Sequence, residues 1–278
     1  MTAMQATGPR VSAATGELRV AGTKLAIRRL TPTGGSADDN ADRPALVFLH
    51  EALGSIGQWR DVPDALVAAT GLPALVYDRQ GHGGSDALTL PRPPDYHRTE
   101  AAKVLPALLD ACGIERAILI GHSDGGTIAL LAAALLPQRV AAVVSEAAHV
   151  FIEEISLKGI REAEAAWQRG ELSGLERYHG DKTEDLVRAW ADTWLDPAYR
   201  DWSTEAELAD VTCPVLAIQG VGDHYGSPEQ VARICAGVAG PADPLLLPDC
   251  GHTPHREQRD WVLSAIQDFL AEHALLAR

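Results

Sequence analysis

AILIGHSDGG, at residues 117–126, is the stretch that decides the fold of this 278-residue chain. A short apolar run of the kind found in buried strands leads into Gly121-x-Ser123-x-Gly125, and an Ala- and Leu-rich helical pattern follows. The glycines permit a tight turn whose central residue takes a strained conformation. Such a turn presents the Ser123 hydroxyl at the carboxyl edge of a sheet, beside a helix N-terminus that favours developing negative charge. The stretch therefore predicts Ser123 as a nucleophile on a strand–turn–helix unit.

Apolar runs and amphipathic segments alternate on both sides of this unit, a pattern typical of a mainly parallel sheet covered by helices. The predicted strands lie at 17–20, 24–30, 45–49, 74–77, 117–120, 140–145, 215–219 and 244–247. The predicted helices lie at 58–69, 96–111, 126–136, 228–238 and 257–276. A segment rich in Pro, Gly, Ser and Asp is predicted to form an exposed loop at 31–44. The sequence thus predicts an α/β protein.

One region, from about residue 149 to residue 208, interrupts the alternation. It contains no strand-like run, and it holds four of the six tryptophans, namely Trp167, Trp190, Trp194 and Trp202. We predict several helices inserted between two strands, which form either an elaborated crossover connection or a lid over an active site. The predicted organisation is a core made of residues 1–148 and 209–278, with a helical cap at 149–208.

A serine hydroxyl is a poor nucleophile at neutral pH, so Ser123 needs a base, and the base needs an orienting acid. Both are expected on loops after later strands, because the carboxyl ends of parallel strands meet at one edge of the sheet. Asp223 lies among glycines after the seventh predicted strand, and His252 follows the eighth. We therefore predict Asp223 as the acid and His252 as the base. His224 and His255 are close enough in sequence to compete for the second role.

With these residues in place, the chain resembles the α/β-hydrolase-fold enzymes that carry a helical cap, over essentially its full length. Four motifs carry the resemblance: the GHSDGG elbow, the Gly-x-x-Asp223 loop, the Gly251-His252 loop, and Asp78-x-x-Gly81-x-Gly83-x-Ser85. The chain order Ser123, Asp223, His252 is that of the family's triad. The resemblance implies a mostly parallel eight-stranded sheet flanked by helices, and a carboxylesterase-like activity. It places the Asp78 motif in a loop beside the active site and assigns that motif no chemistry.

The resemblance also implies an oxyanion hole made of two main-chain N–H groups. Asp124, which follows the nucleophile, is expected to supply one of them. Ala52, the third residue of the loop after the third strand, is expected to supply the other, and His50 is expected to fix that loop. The chain departs from the family at Glu51, where glycine is usual.

Two carboxylates beside a site that must hold an oxyanion are a physical problem. At ~5 Å and an effective dielectric constant near 20, each unpaired charge would cost the transition state roughly 3 kcal/mol. Glu51 and Asp124 must therefore point away, stay protonated or bind cations. For Glu51 we predict a cation or a hydrogen-bond partner, with Arg79 as the first candidate and exposure to solvent as the alternative. His50, Glu51 and Arg79 are thus the candidate site-lining residues.

Composition narrows the class of protein further. With 24 Lys and Arg against 38 Asp and Glu, the formal net charge of −14 disfavours binding to nucleic acid or to anionic membranes. No apolar run is long enough to span a bilayer, and the first ten residues lack the apolar core of a signal peptide. The four cysteines show neither metal-ligand spacing nor disulfide-scaffold density. We expect a cytoplasmic protein with a small-molecule substrate and with no cofactor or metal; the choice between monomer and homodimer stays open.

Three functions remain as hypotheses. The first is hydrolysis of a small ester, lactone or thioester through an acyl-enzyme on Ser123, with His252 acting as base and then as acid. The second is cleavage of a carbon–carbon bond, or lyase-like chemistry, on the same fold, since fold does not fix chemistry. The third is a receptor that binds a ligand under the cap without turnover. Haloalkane dehalogenases and epoxide hydrolases of this fold are disfavoured, because they use an aspartate where Ser123 stands.

Overall fold

The computed structural model describes residues 11–33 and 43–276, and its centre is an eight-stranded sheet. The strands are β1 (Val11–Val20), β2 (Thr23–Pro32), β3 (Ala45–Leu49), β4 (Ala74–Tyr77), β5 (Ala117–His122), β6 (Val140–Glu146), β7 (Val215–Gly220) and β8 (Ala242–Leu247). Their order in the sheet is β1-β2-β4-β3-β5-β6-β7-β8. The pairs β1–β2 and β2–β4 are antiparallel, and all others are parallel. The predicted fold class is confirmed.

Eleven α-helices surround this sheet within the described ranges. They are α1 (Val62–Thr70), α2 (Tyr96–Thr99), α3 (Leu105–Cys112), α4 (Asp124–Leu135), α5 (Glu154–Gln168), α6 (Glu176–His179), α7 (Thr183–Leu195), α8 (Glu205–Leu208), α9 (Glu229–Gly237), α10 (Pro254–Glu257) and α11 (Arg259–Glu272). A π-helical turn, Glu100–Val104, joins α2 to α3, so the helix predicted at 96–111 is one helical stretch.

Most differences from the predicted boundaries have local causes. The helix predicted to start at residue 58 begins at Val62, because Pro63 cannot continue a helix that runs in from upstream. Pro244 lies inside β8, which an edge strand tolerates because one side of it needs no hydrogen-bond donor. The loop predicted at 31–44 lies largely outside the described residues, and its first two residues belong to β2.

The central parallel strands are buried on both faces, which explains why their sequences are continuously apolar. Alternate side chains of each strand enter different cores. Leu46 and Phe48 of β3 pack with α1 and α11 on one face, whereas Val47 and Leu49 pack with α3 and α4 on the other. This arrangement fixes β3 and β5 side by side, with Leu49 level with Gly121. The loops after these two strands therefore leave the sheet next to each other.

Residues 149–208, termed the helical segment from here on, contain α5 to α8 and no strand longer than a single bridge, Phe151 to Ser203. Their apolar side chains form a third core cluster, separate from the two that cover the sheet. Ala52 and Leu53, from the loop after β3, belong to the same cluster as Ile160, Trp190 and Trp194. The helical segment is thus packed onto the loop that the sequence predicts beside the site.

Candidate active site

Ser123 stands between β5 and α4 in a conformation that few non-glycine residues adopt, with φ +53° and ψ −117°. The flanking glycines are required by packing. A Cβ at Gly125 would lie 1.9 Å from the carbonyl oxygen of Leu49, and one at Gly121 would lie 2.2 Å from that of Gly125. The start of α4 can therefore approach the end of β3 only because these positions lack side chains.

The predicted base and acid meet the serine in one hydrogen-bonded row. His252 Nε2 lies 3.1 Å from Ser123 Oγ, and His252 Nδ1 lies 2.7 Å from Asp223 Oδ2. The Asp223 carboxylate is fully buried and also accepts a hydrogen bond from the Tyr225 N–H. Burial opposes ionisation of Asp223, but its bonds with His252 and Tyr225 outweigh burial and hold its pKa below the ordinary value. The row can therefore hold a neutral imidazole with its proton on Nδ1 and its free lone pair toward the serine.

The two competing histidines do not belong to this row. His255 is buried, and its Nδ1 lies 2.8 Å from Glu146 Oε2. His224 is exposed and lies against the ring of Tyr225. A third histidine, His122, donates from Nε2 to the carbonyl oxygen of His252 at 2.7 Å and so fixes the backbone of the base.

The two N–H groups predicted for an oxyanion hole have no acceptor in the described part of the protein. Neither the Ala52 N–H nor the Asp124 N–H donates to a protein atom there, and both residues line the same cavity as Ser123. His50 fixes the loop that carries Ala52: its Nδ1–H donates to the Glu51 carbonyl at 2.8 Å, and its Nε2 accepts from the Arg79 N–H at 3.0 Å. His50 is 2% exposed and does not line that cavity.

Arg79 does not pair with the carboxylate of Glu51, and that prediction is wrong. Its guanidinium donates to the main-chain carbonyls of His50 and Glu51 and lies 3.6 Å from the carboxylate of Asp124. Arg79 is buried away from the cavity, so it is not a lining residue either. A buried guanidinium needs several acceptors at once, and this position supplies two carbonyls and the more deeply buried of the two acids.

Asp124 is held by three partners that come from outside its own loop. Besides Arg79, the Tyr96 hydroxyl donates to its carboxylate at 2.9 Å, and His97 Nε2 lies 3.0 Å from Oδ1. Burial raises the pKa of Asp124, but His97 and Arg79 outweigh burial and hold that pKa well below the ordinary value. Trp194 of the helical segment donates to the same Tyr96 hydroxyl at 3.0 Å. The Asp124 carboxylate is thus neutralised by its partners.

Glu51 has found a hydrogen-bond partner but no cation. Its Oε2 accepts from the N–H of Leu53 at 2.7 Å, and no ion pair to it forms within residues 11–33 and 43–276. Burial is the main cause that raises the pKa of Glu51 above the ordinary carboxyl value. Glu51 lines the cavity that contains Ser123, as predicted for a site-lining residue.

This cavity has a volume of about 200 Å³ and lies between the sheet edge and the helical segment. Two of the four tryptophans that mark the helical segment, Trp190 and Trp194, line it, and Trp167 and Trp202 pack against their cluster. The other lining side chains of the helical segment are His149, Ser156, Ile160, Ala163, Leu172 and Leu175. The part of the cavity wall that the helical segment supplies is therefore mainly apolar and aromatic.

Several residues that shape the site carry no recognisable sequence signal. Tyr96 and His97 lie 28 and 27 residues from Asp124 and belong to no motif. His179 of the helical segment donates to the Leu53 carbonyl and accepts from the Gly83 N–H, at 2.9 and 3.0 Å. Asp78, which the sequence singled out without a role, accepts from the Ile56 N–H at 2.7 Å. These contacts join the loops after β3 and β4 to each other and to the helical segment.

Comparison with known proteins agrees with this architecture. The chain belongs to the α/β-hydrolase-fold family, whose model matches residues 44–207. It is 27% identical to the 2-succinyl-6-hydroxy-2,4-cyclohexadiene-1-carboxylate synthase of Klebsiella pneumoniae, over 86% of this chain and 99% of that protein. It is 36% identical to the sn-1-specific diacylglycerol lipase ABHD11 of Mus musculus, over 42% of this chain and only 37% of that protein.

Solved structures show the same fold at low sequence identity. The enol-lactonase of Burkholderia xenovorans LB400 superposes with a TM-score of 0.72 at 20% identity, over 92% of this chain and all of that one. The naproxen esterase of Bacillus subtilis gives 0.71 at 19%, covering 94% and 92% of the two chains. No helix in the described ranges is long and apolar enough to cross a membrane.

Proposed function

We propose that this protein is a serine hydrolase that cleaves a small carboxylic ester, lactone or thioester through an acyl-enzyme on Ser123. The observation that carries the proposal is the row of hydrogen bonds from Asp223 through His252 to Ser123 on the wall of a mainly apolar cavity. Membership of the α/β-hydrolase-fold family supports hydrolysis in general. The ester-like substrate class is our inference from the cavity.

In the proposed mechanism, His252 Nε2 removes the proton of the Ser123 hydroxyl as the oxygen attacks the acyl carbon. The negative charge that develops on the acyl oxygen is stabilised by the free N–H groups of Ala52 and Asp124 and by the N-terminus of α4. His252 then protonates the leaving group. A water molecule, activated by the same imidazole, releases the acid and restores the serine.

Asp223 accepts a hydrogen bond from His252, which keeps the His252 proton on Nδ1 and stabilises the imidazolium that forms. Asp124 contributes its N–H without opposing the oxyanion, because Arg79, Tyr96 and His97 bind its side chain. The helical segment serves as a cap in this proposal: it closes the cavity and sets which acyl and alcohol groups fit. Among the described residues, the core is then formed by 11–33, 43–148 and 209–276.

Carbon–carbon bond cleavage and lyase-like chemistry are less well supported. Two similar proteins have names that mention no ester: the carboxylate synthase, and a dienoate hydrolase from Rhodococcus, which is similar in fold with a TM-score of 0.75 at 15% identity. Those names denote anionic compounds, whereas no described residue that lines this cavity is a lysine or an arginine. A neutral or cationic acyl compound suits the cavity better.

Replacement of the nucleophile tests the proposal. Wild type should hydrolyse p-nitrophenyl butanoate with an initial burst, and Ser123→Ala should lower kcat by about 10⁴- to 10⁶-fold with an unchanged circular dichroism spectrum. A fluorophosphonate should label Ser123, as read by mass spectrometry of the peptide. Ser173→Ala, the same change at an exposed serine of the helical segment, is the matched control.

The outcomes separate the three hypotheses. Turnover of a vinylogous diketone by wild type, without turnover of esters, would favour carbon–carbon cleavage. Ligand binding without turnover and without phosphonate labelling would favour a receptor. Ester turnover that survives in Ser123→Ala would contradict the mechanism.

A further inference from the structure

Glu51 places a carboxyl group in the cavity, and no described residue forms an ion pair with it. Its carboxylate accepts a single hydrogen bond, from the N–H of Leu53, and none of the cations in the described ranges lies within ion-pair distance of it. The other two carboxyl groups near the nucleophile are already bound: Asp223 to His252, and Asp124 to Arg79 with two further donors. Of these three acids, Glu51 is therefore the one that forms no ion pair with any described residue.

The surroundings of Glu51 suit a cation. The aromatic rings of Trp190, Trp194 and Tyr225 line the same cavity, and the Trp190 and Tyr225 rings lie 6.4 Å apart between centroids. The faces of aromatic rings attract cations, and tryptophan does so most strongly. No described lining residue is a lysine or an arginine. Of the three lining histidines, His122 and His149 have pKa values that burial lowers, which disfavours a positive charge on either ring. A carboxylate beside aromatic walls therefore favours a positively charged ligand.

The cost of leaving this acid unpaired also points to a ligand. Burying a carboxylate without a counter-charge is unfavourable, and the raised pKa of Glu51 reflects that burial. A bound cation would remove the cost, whereas an anionic group in the same cavity would add repulsion to it. The cavity volume of about 200 Å³ accommodates a small ester with one charged nitrogen.

We propose that Glu51 is a specificity-determining residue that makes the cavity select small esters carrying a positively charged nitrogen over neutral and anionic ones. That the ligand is an ester rests on the proposed function. Recognition of the cation by Glu51 and the aromatic walls is independent of whether the serine reacts.

Binding of a cation and of its neutral isostere tests recognition without turnover. Choline and 3,3-dimethylbutan-1-ol have the same shape and differ in charge, and the two tryptophans of the cavity report binding through their fluorescence. Wild type should bind choline at least about tenfold more tightly than the alcohol, the discrimination that one partly desolvated charge pair supplies. Equal affinities in wild type would overturn the proposal without any variant.

Two variants with the same change in charge test whether the preference for choline depends on Glu51. Glu51→Gln keeps an acceptor for the Leu53 N–H and removes the charge, so the preference for choline should fall at least about tenfold. Glu184→Gln is the matched control, because this glutamate is 69% exposed on α7, and the preference should stay as in wild type. An unchanged preference in Glu51→Gln, or an equal loss in both variants, would contradict the proposal.

Matched esters then join recognition to catalysis. The ratio of kcat/KM for choline acetate to that for 3,3-dimethylbutyl acetate should fall at least about tenfold in Glu51→Gln relative to wild type. If both esters react and this ratio is unchanged, the serine hydrolase stands and the role of Glu51 fails. If neither ester reacts while choline binding depends on Glu51, the recognition stands and the hydrolase fails.

Discussion

The loop after β3 and the start of α4, which follows β5, lie next to each other at the cavity. Each carries an acid and a main-chain N–H that has no acceptor among the described residues. At the start of α4, the Asp124 carboxylate is 2% exposed and has three partners, one of them Arg79. In the loop after β3, the Leu53 N–H is the one hydrogen-bond partner that the described residues offer to the Glu51 carboxylate. The pKa of Asp124 is lowered, and that of Glu51 is raised. Two acids that look equivalent in the sequence are thus opposite in electrostatics: one is part of the scaffold, and the other is available to a ligand.

The largest expected effect concerns the chemistry that the loop after β3 and the start of α4 both serve. His252→Ala should lower kcat for a neutral ester by about 10⁴-fold, because nucleophile and base act as a unit. His224→Ala is the matched control, since this histidine follows Asp223 directly and lies outside the hydrogen-bonded row. Its kcat should stay within about twofold of wild type, as for surface changes away from a site. A large loss of kcat in His224→Ala, with little loss in His252→Ala, would mean that His224 is the base.

The next largest effect is on the free energy of unfolding, and it tests whether Arg79 stabilises Asp124 or Glu51. Arg79→Met should destabilise the fold by about 3 kcal/mol, because it leaves the buried charge of Asp124 without its cation. The double variant Arg79→Met, Asp124→Asn should recover at least about 1 kcal/mol of that loss, whereas Arg79→Met, Glu51→Gln should be additive within about 0.5 kcal/mol. Urea unfolding measures all of these free energies. If the effects of Arg79→Met and Glu51→Gln are coupled, and those of Arg79→Met and Asp124→Asn are additive, Arg79 stabilises Glu51 and not Asp124.

The smallest expected effect is on the stability of the fold, and it should have opposite signs for the two acids and depend on pH. An acid with a lowered pKa adds stability that is complete above its unfolded value, about 3.9 for Asp, and is lost as the pH falls. An acid with a raised pKa adds stability below its unfolded value, about 4.3 for Glu, and loses it as the pH rises through the folded pKa. At pH 7, Asp124→Asn should therefore lower the free energy of unfolding, because it leaves the buried Arg79 without its anion. Glu51→Gln should raise that free energy by about 1 kcal/mol. Both differences should shrink toward pH 3. Urea unfolding of both variants at several pH values checks this, and equal signs at pH 7 would mean that the two environments do not differ as described.

The sequence by itself determined the strands, the elbow and the row of catalytic candidates, because their causes are local or follow from sheet edges. Gly121 and Gly125 are needed wherever a strand turns this sharply into a helix. Asp223 and His252 could be found because parallel strands bring the loops at their carboxyl ends together.

Only the tertiary structure decided how the two acids differ. The sequence placed Arg79 beside the loop after β3 correctly, yet two acids lay within its reach, and burial and competition among acceptors chose Asp124. The contacts of Asp124 with Tyr96 and His97 form only when α2 packs on α4, and the walls around Glu51 come from the helical segment. Spacing along the chain carries no record of such pairings, since they depend on which side chains remain unsatisfied once the helices have packed onto the sheet.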